Sequence, residues 1–110
     1  MNNYSVTLED ARARIEAGTA ILIDVREPNE HAYGVVAGAR LLPTSEFNQR
    51  YTEIPTDPAT PVYLICATSG RSSMVWNALR NAGGYDHVYF VEGGMSEWAR
   101  RGWPMITVRG

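Results

Sequence analysis

Short, nearly continuous apolar runs divide this chain. Residues 20–25, 62–65 and 87–91 form three such runs, which are typical of strands buried on both faces of a parallel sheet. A weaker run at residues 39–42 predicts a short strand that Pro43 stops. The sequence therefore predicts a sheet whose strands are separated by longer polar and mixed segments.

Apolar residues three and four positions apart predict helices in those separating segments. The first helix has Thr7 as a natural N-cap and Gly18 as a natural stop. Pro28 suits the first turn of a short helix that Gly34 ends. The other predicted helices are one capped by Thr44 or Ser45, one through Val75 and Leu79 that ends at Gly83, and one over residues 95–101. Strands that alternate with helices predict one α/β domain over residues 1–110 with a mainly parallel sheet.

Composition and charge argue against several classes of function. The chain has 110 residues, is 45% hydrophobic and has a formal net charge of -2, so a basic nucleic-acid-binding face is not expected. No apolar run approaches the roughly 20 residues of a membrane span, and residues 1–7 lack the basic and apolar parts of a signal peptide. The one cysteine excludes an intramolecular disulfide, a C-x-x-C redox pair and a multi-cysteine zinc site. We expect a cytoplasmic protein with no nucleic-acid or membrane partner.

The histidines and most of the aromatic residues are expected to have structural rather than chemical roles. Two histidines are too few and too isolated to predict a metal site, and no cofactor is expected. The histidines His31 and His87 are expected at the surface or at strand edges, and Tyr33, Tyr85, Tyr89, Trp98 and Trp103 in packing.

The single cysteine, Cys66, follows a predicted strand and precedes a predicted helix. A thiol in that position lies near the N–H groups of a helix N-terminus, which stabilise a thiolate and bind anions. A cysteine alone is more often a small buried apolar residue than a nucleophile. The loop that follows is rich in small and hydroxyl-bearing residues, and this composition favours the interpretation of Cys66 as a nucleophile. The loop residues are Ala67, Thr68, Ser69, Gly70, Arg71 and Ser72.

Three separated segments resemble the signatures of rhodanese-like sulfurtransferase domains. Residues 24–43 contain D-V-R-E, then Glu, Gly, A-G-A and Pro, similar to the family's D-V-R-E, G-H-I-x-G-A and proline. Residues 66–72, C-A-T-S-G-R-S, resemble the active-site loop C-x-x-G-x-R-S. Residues 91–104 resemble the closing G-G-x-x-x-W-x-x-x-G-x-P. Each match alone is weak, but the three occur in family order and cover about the whole chain.

The chain departs from the family pattern at two positions. Val35 stands where the family usually has His, a change expected to affect packing more than chemistry. The loop glycine comes one place late, so that Ser69 takes its usual position and Gly70 the next. We expect Gly70 to allow a tight turn with positive φ.

The resemblance implies a three-layer domain, with a central sheet of about five strands and helices on both faces, and a two-step sulfur transfer. The Cys66 thiolate takes the outer sulfur of a small anionic donor such as thiosulfate and becomes a persulfide. A thiol, cyanide or a cysteine of a partner protein then removes that sulfur. The backbone N–H groups of residues 67–72 are the expected stabilisers of the thiolate, because a free thiol is mostly protonated at neutral pH. Arg71 orients the loop or binds the donor's sulfonate, and Asp24 and Arg26 have supporting roles on the same rim.

Other functions remain open on the sequence. A phosphatase or arsenate reductase of related fold uses C-x5-R, whereas Cys66 and Arg71 are spaced C-x4-R and no clear general acid is found. A non-catalytic rhodanese module often lacks the cysteine. A sulfur relay would accept sulfur from a cysteine-desulfurase persulfide rather than from thiosulfate. Because Arg71 is the one cation in the loop, we expect a high KM for thiosulfate.

Overall fold

Five parallel strands form the centre of the molecule. The computed structural model describes residues 4–108. Neighbouring strands lie in the order β1-β5-β4-β2-β3, and every pair is parallel. The strands are β1 (Ser5–Val6), β2 (Ile21–Asp24), β3 (Arg40–Leu41), β4 (Val62–Ile65) and β5 (Val88–Val91). The predicted α/β class, the parallel sheet and the five strands are confirmed.

Four helices connect the strands, and a fifth follows the last strand. They are α1 (Leu8–Ala17), α2 (Pro28–His31), α3 (Phe47–Arg50), α4 (Gly70–Ala82) and α5 (Gly94–Arg100), with short 3-10 turns at Thr44–Glu46 and Tyr51–Glu53. Both predicted ends of α1 are confirmed: Thr7 accepts a hydrogen bond from the Asp10 N–H at 3.1 Å, and Gly18 is left-handed. Neither Thr44 nor Ser45 caps a helix, because their hydroxyls donate instead to the Val25 carbonyl and the Glu27 carboxylate.

The sheet separates two apolar clusters, which makes the domain three layers thick. Alternate residues of β4 point to opposite sides: Val62 and Leu64 pack with α4, whereas Tyr63 and Ile65 pack with α1 and α5. Cys66 continues the first set and belongs to the cluster beneath α4. The thiol is thus part of the core while the residues after it reach the rim.

Several structural roles expected from the sequence are wrong. His31 and His87 are buried, and the His87 Nε2 lies 2.6 Å from the Pro55 carbonyl oxygen. Tyr33 does not pack, because 89% of it is exposed. The strand β1 was not predicted, since its two half-buried residues carry no apolar run and become a strand only by pairing with β5.

Within residues 4–108, no helix is both long and apolar enough to cross a membrane. The expectation that residues 1–7 are not a signal peptide rests partly on residues 1–3, which lie outside the described residues.

Candidate active site

The carboxyl ends of β2 and β4 bring the candidate residues together. Asp24, the last residue of β2, lies in register with Ile65, the last residue of β4. Cys66 follows directly and is 1% exposed. The expectation that Asp24 and Arg26 share a rim with the cysteine is therefore met by the strand register, and this edge is where ligands of parallel sheets bind.

The first turn of α4 surrounds the thiol. The Ser72 N–H points at the Cys66 sulfur with N···Sγ of 3.3 Å, and the Ser72 hydroxyl oxygen lies 3.4 Å from the same sulfur. That hydroxyl also donates to the Ser69 carbonyl at 3.2 Å. Because Ser69, the N-cap of α4, makes no side-chain cap bond, the sulfur takes the place that a capping oxygen usually occupies. A thiolate here would accept a hydrogen bond from the Ser72 N–H, and the Ser72 hydroxyl would have to turn from the Ser69 carbonyl to donate a second one.

The N-terminus of α5 holds the backbone of the loop from behind. The Met95 N–H donates to the Cys66 carbonyl at 2.7 Å, and the Ser96 N–H donates to the Ala67 carbonyl at 2.8 Å. Gly94 makes this approach possible, because a Cβ there would lie 2.6 Å from the Ala67 carbonyl oxygen and closer still to two others. The loop carbonyls are thus turned towards α5 and away from the thiol.

With the carbonyls turned away, N–H groups are left for the site. Within the described part of the chain, the N–H groups of residues 68–71 have no acceptor. Such groups at a helix start are suited to an anion or to developing negative charge. Gly70 does not supply the positive φ that the sequence suggested, since it is the first residue of α4. The turn is made instead at Ser69, with φ of -167° and ψ of -1°.

Arg71 is tied to a carboxylate from another part of the chain. Its two terminal nitrogens donate to the Glu30 oxygens at 2.5 and 2.7 Å. The hydrogen bonds from Arg71 lower the pKa of Glu30 to about 2, and they raise the pKa of Arg71, to which charge on Cys66 adds. Of the two roles expected for Arg71, orienting the loop is the one that this geometry performs.

Asp24 and Arg26 form a buried ion pair beneath the loop. Both are almost fully buried, and the Arg26 Nη2 donates to Asp24 at 2.7 Å and to the Gly34 carbonyl at 2.8 Å. His31 Nε2 lies 3.3 Å from the Asp24 carboxylate without forming a hydrogen bond. A pair held this closely does not offer a free charge to a ligand.

A family model for the rhodanese-like domain matches residues 7–101, which is most of the chain. The chain belongs to the rhodanese-like family.

Relatives of this rhodanese-like domain include named sulfurtransferases. The thiosulfate sulfurtransferase GlpE of Actinobacillus succinogenes is 37% identical over 107 residues, which cover 96% of this chain and 92% of that protein. The uncharacterized protein YqhL of Bacillus subtilis is 44% identical over 92 residues, covering 84% of this chain and 71% of that protein. A crystal structure of a rhodanese-related protein from Thermoplasma volcanium superposes with a TM-score of 0.82 at 28% identity, covering 94% and 97% of the two chains.

For two residues of this rhodanese-like domain, Val35 and Glu30, the structure can be compared directly with what the sequence predicted. Val35, in place of the family histidine, is buried and exchanges backbone hydrogen bonds with Ile106 at 2.9 and 2.8 Å, which agrees with a role in packing. Glu30 is part of the motif at residues 24–43 and had no role expected from the sequence, yet it binds the loop residue Arg71. The position of Glu30 shortly after D-V-R-E could have marked it as a site residue. The sequence does not show, however, that its partner is Arg71, which lies 41 positions away.

Proposed function

We propose that this protein is a sulfurtransferase in which Cys66 carries sulfane sulfur as a persulfide. The observation that carries the proposal is the polarity of the loop around the thiol. Carbonyls face α5, while the Ser72 N–H and hydroxyl face the sulfur. This arrangement favours negative charge on Cys66 before the reaction and on the outer sulfur after it.

In the first step the Cys66 thiolate attacks the outer sulfur of the donor. With thiosulfate, the bond between the two donor sulfurs breaks, and sulfite leaves with the bonding electron pair. With an organic persulfide, the corresponding thiolate leaves. The N–H groups of residues 68–71, which have no acceptor in the described chain, are available to bind the charge on the donor or on the new persulfide.

In the second step a nucleophile attacks the outer sulfur of the Cys66 persulfide. Cyanide leaves as thiocyanate and a thiolate leaves as a persulfide, while the electron pair of the broken S–S bond returns to Cys66. The cysteine ends as it began, so the cycle needs no external oxidant or reductant. Covalent capture followed by release predicts ping-pong kinetics.

The ion pairs bear on the choice of donor. Arg71 is held by Glu30 and Arg26 by Asp24, so that a dianion meets backbone N–H groups but no unpaired guanidinium in this cluster. The Glu27 carboxylate adds negative charge near Arg71. We therefore expect thiosulfate to serve as a donor with a high KM, and a KM in the low micromolar range would contradict this reasoning.

The proposal is tested by the mass of the intact protein after incubation with thiosulfate, then with cyanide. The wild-type protein should gain one sulfur atom and lose it again as thiocyanate, whereas Cys66→Ala should gain none. The same pair of proteins is then treated with a cysteine persulfide, to separate a poor donor from an inactive site. No gain from either donor, or Cys66-dependent hydrolysis of an aryl phosphate, would overturn the proposal.

A further inference from the structure

A cleft of about 240 Å³ opens beside the cysteine loop. It begins at Ala67, the residue after Cys66, and continues between α5 and the segment that contains Tyr33. The lining side chains are mostly apolar or small: Tyr33, Ala67, Met95, Ser96, Ala99 and Met105. The cleft therefore borders the cysteine loop at Ala67, and its lining differs in chemistry from the groups around the thiol.

The walls of the cleft are fixed by the fold. Ile106 is bridged to Val35 by two backbone hydrogen bonds, and the Trp98 indole donates to the Pro104 carbonyl at 2.9 Å. Met105 lies between these two anchors and packs over Gly34, where a Cβ would come within 3.4 Å of its side chain. An apolar wall is thus held in place next to the loop.

Large apolar side chains remain exposed at this cleft although the core is well filled. Tyr33 is 89% exposed and Met105 is 39% exposed. Exposed apolar groups that line a concave surface are typical of binding sites rather than of an ordinary surface.

The cleft offers little to an anion. Arg26 lies in its wall, but this residue is only 7% exposed, and its guanidinium is bound by Asp24 and by the Gly34 carbonyl. Desolvating a charged group without a partner is unfavourable. An uncharged organic group would instead bury its apolar surface against Met95 and Met105.

We propose that this cleft binds the uncharged organic group of a small thiol that accepts the sulfur. The inference rests on the proposed function, because it requires a persulfide on Cys66. The volume corresponds to about eight water molecules at roughly 30 Å³ each, which suits an aliphatic or aryl group. The thiol loses its proton to solvent, and its thiolate attacks the outer sulfur. The S–S bond breaks, the electron pair returns to Cys66, and the acceptor leaves as an organic persulfide.

The test uses protein whose Cys66 already carries a persulfide, and it follows loss of the sulfur by mass in a single turnover. The acceptors are benzyl mercaptan, its para-carboxylate analogue and cyanide. The two thiols share the same benzylic carbon and differ in the charge on the ring. We expect the wild-type rate constant to be about tenfold or more higher for benzyl mercaptan than for the carboxylate, a difference that the unpaired carboxylate would produce.

A variant that fills the cleft gives the second arm. Ala99→Trp places a large side chain at a position of α5 that lines the cleft, and Ala13→Trp places the same side chain on an exposed face of α1. We expect Ala99→Trp to lower the ratio of the benzyl mercaptan rate to the cyanide rate about tenfold, while Ala13→Trp keeps the wild-type ratio.

The outcomes separate this inference from the one it rests on. Equal rates for the two thiols, together with a ratio unchanged in Ala99→Trp, would overturn the cleft proposal and leave the sulfurtransferase intact. Failure of Cys66 to take up sulfur from any donor would overturn the sulfurtransferase proposal itself.

Discussion

Replacing Gly94 by alanine tests whether α5 shapes the cysteine loop. Gly94 has φ of +61°, and a Cβ at this position would collide with the carbonyl oxygens of Cys66, Ala67 and Thr68. These carbonyls cannot retreat without weakening the hydrogen bonds that Met95 and the next residue donate to them. The substitution should therefore both strain the backbone and rotate the loop.

The size of the effect follows from these two parts. A left-handed conformation costs an L-residue about 1–2 kcal/mol, and each of the two hydrogen bonds contributes about 0.5–1.5 kcal/mol. Gly94→Ala should thus lower the free energy of unfolding by about 2–5 kcal/mol. Gly102→Ala is the matched control, because Gly102 follows the same helix with φ of +71°, but a Cβ added there would meet no atom within 4 Å. It should lose only the conformational part, about 1–2 kcal/mol.

Urea unfolding gives the free energies, and the mass gain from a persulfide donor gives the activity of both variants. Gly94→Ala should load sulfur poorly even where it is fully folded, because the added Cβ displaces the loop carbonyls and with them the neighbouring N–H groups, whereas Gly102→Ala should load normally. If the two variants matched in stability and in sulfur loading, the argument that α5 sets the polarity of the loop would be refuted.

Three further predictions concern the groups around the loop. Arg26→Met should destabilise the protein by about 3–5 kcal/mol in urea unfolding, because Asp24 stays buried without its cation; a smaller loss in the Asp24→Asn, Arg26→Met double variant would confirm the cause. The pKa of Glu30 is lowered to about 2 by Arg71, so its stabilisation is present above the ordinary pKa of 4.5 and is lost as the pH falls towards 2. Glu30→Gln should lack this contribution, about 1 kcal/mol for a partly exposed pair, and unfold with a flatter pH dependence in that window. Ser72→Ala should slow sulfur loading about tenfold or more at neutral pH, because it removes the hydroxyl that would turn from the Ser69 carbonyl to donate to the thiolate, and a rate equal to wild type would contradict this role.

The sequence predicted the parts of the site that depend on neighbours in the chain. A strand that ends before Cys66 and a helix that begins after it follow from apolar patterning and small residues, and both are present. Asp24 and Arg26 reach the same rim because parallel strands end at one edge of a sheet.

Contacts between distant segments could not be predicted in the same way. The sequence placed Arg71 in the loop but not against Glu30, since several carboxylates were available and only the packing of α2 selects one. His31 was expected at the surface or at a strand edge, yet the short helix α2 turns it inwards beside Asp24. In both cases tertiary packing determines which residue is contacted, and neither residue propensity nor sequence spacing can predict that contact.

The electrostatic character of this site is therefore set by the backbone rather than by its arginines. Arg71 and Arg26 are each matched by a carboxylate, whereas the N–H groups of residues 68–71 are left without acceptors in the described chain. Fixed dipoles of this kind would need no reorganisation in the proposed transfer, in which charge moves from Cys66 to the outer sulfur. Their orientation depends on α5, which holds the loop carbonyls on the opposite side through Gly94. It follows that Gly94 belongs to the proposed active site in function, although it contributes no reactive group.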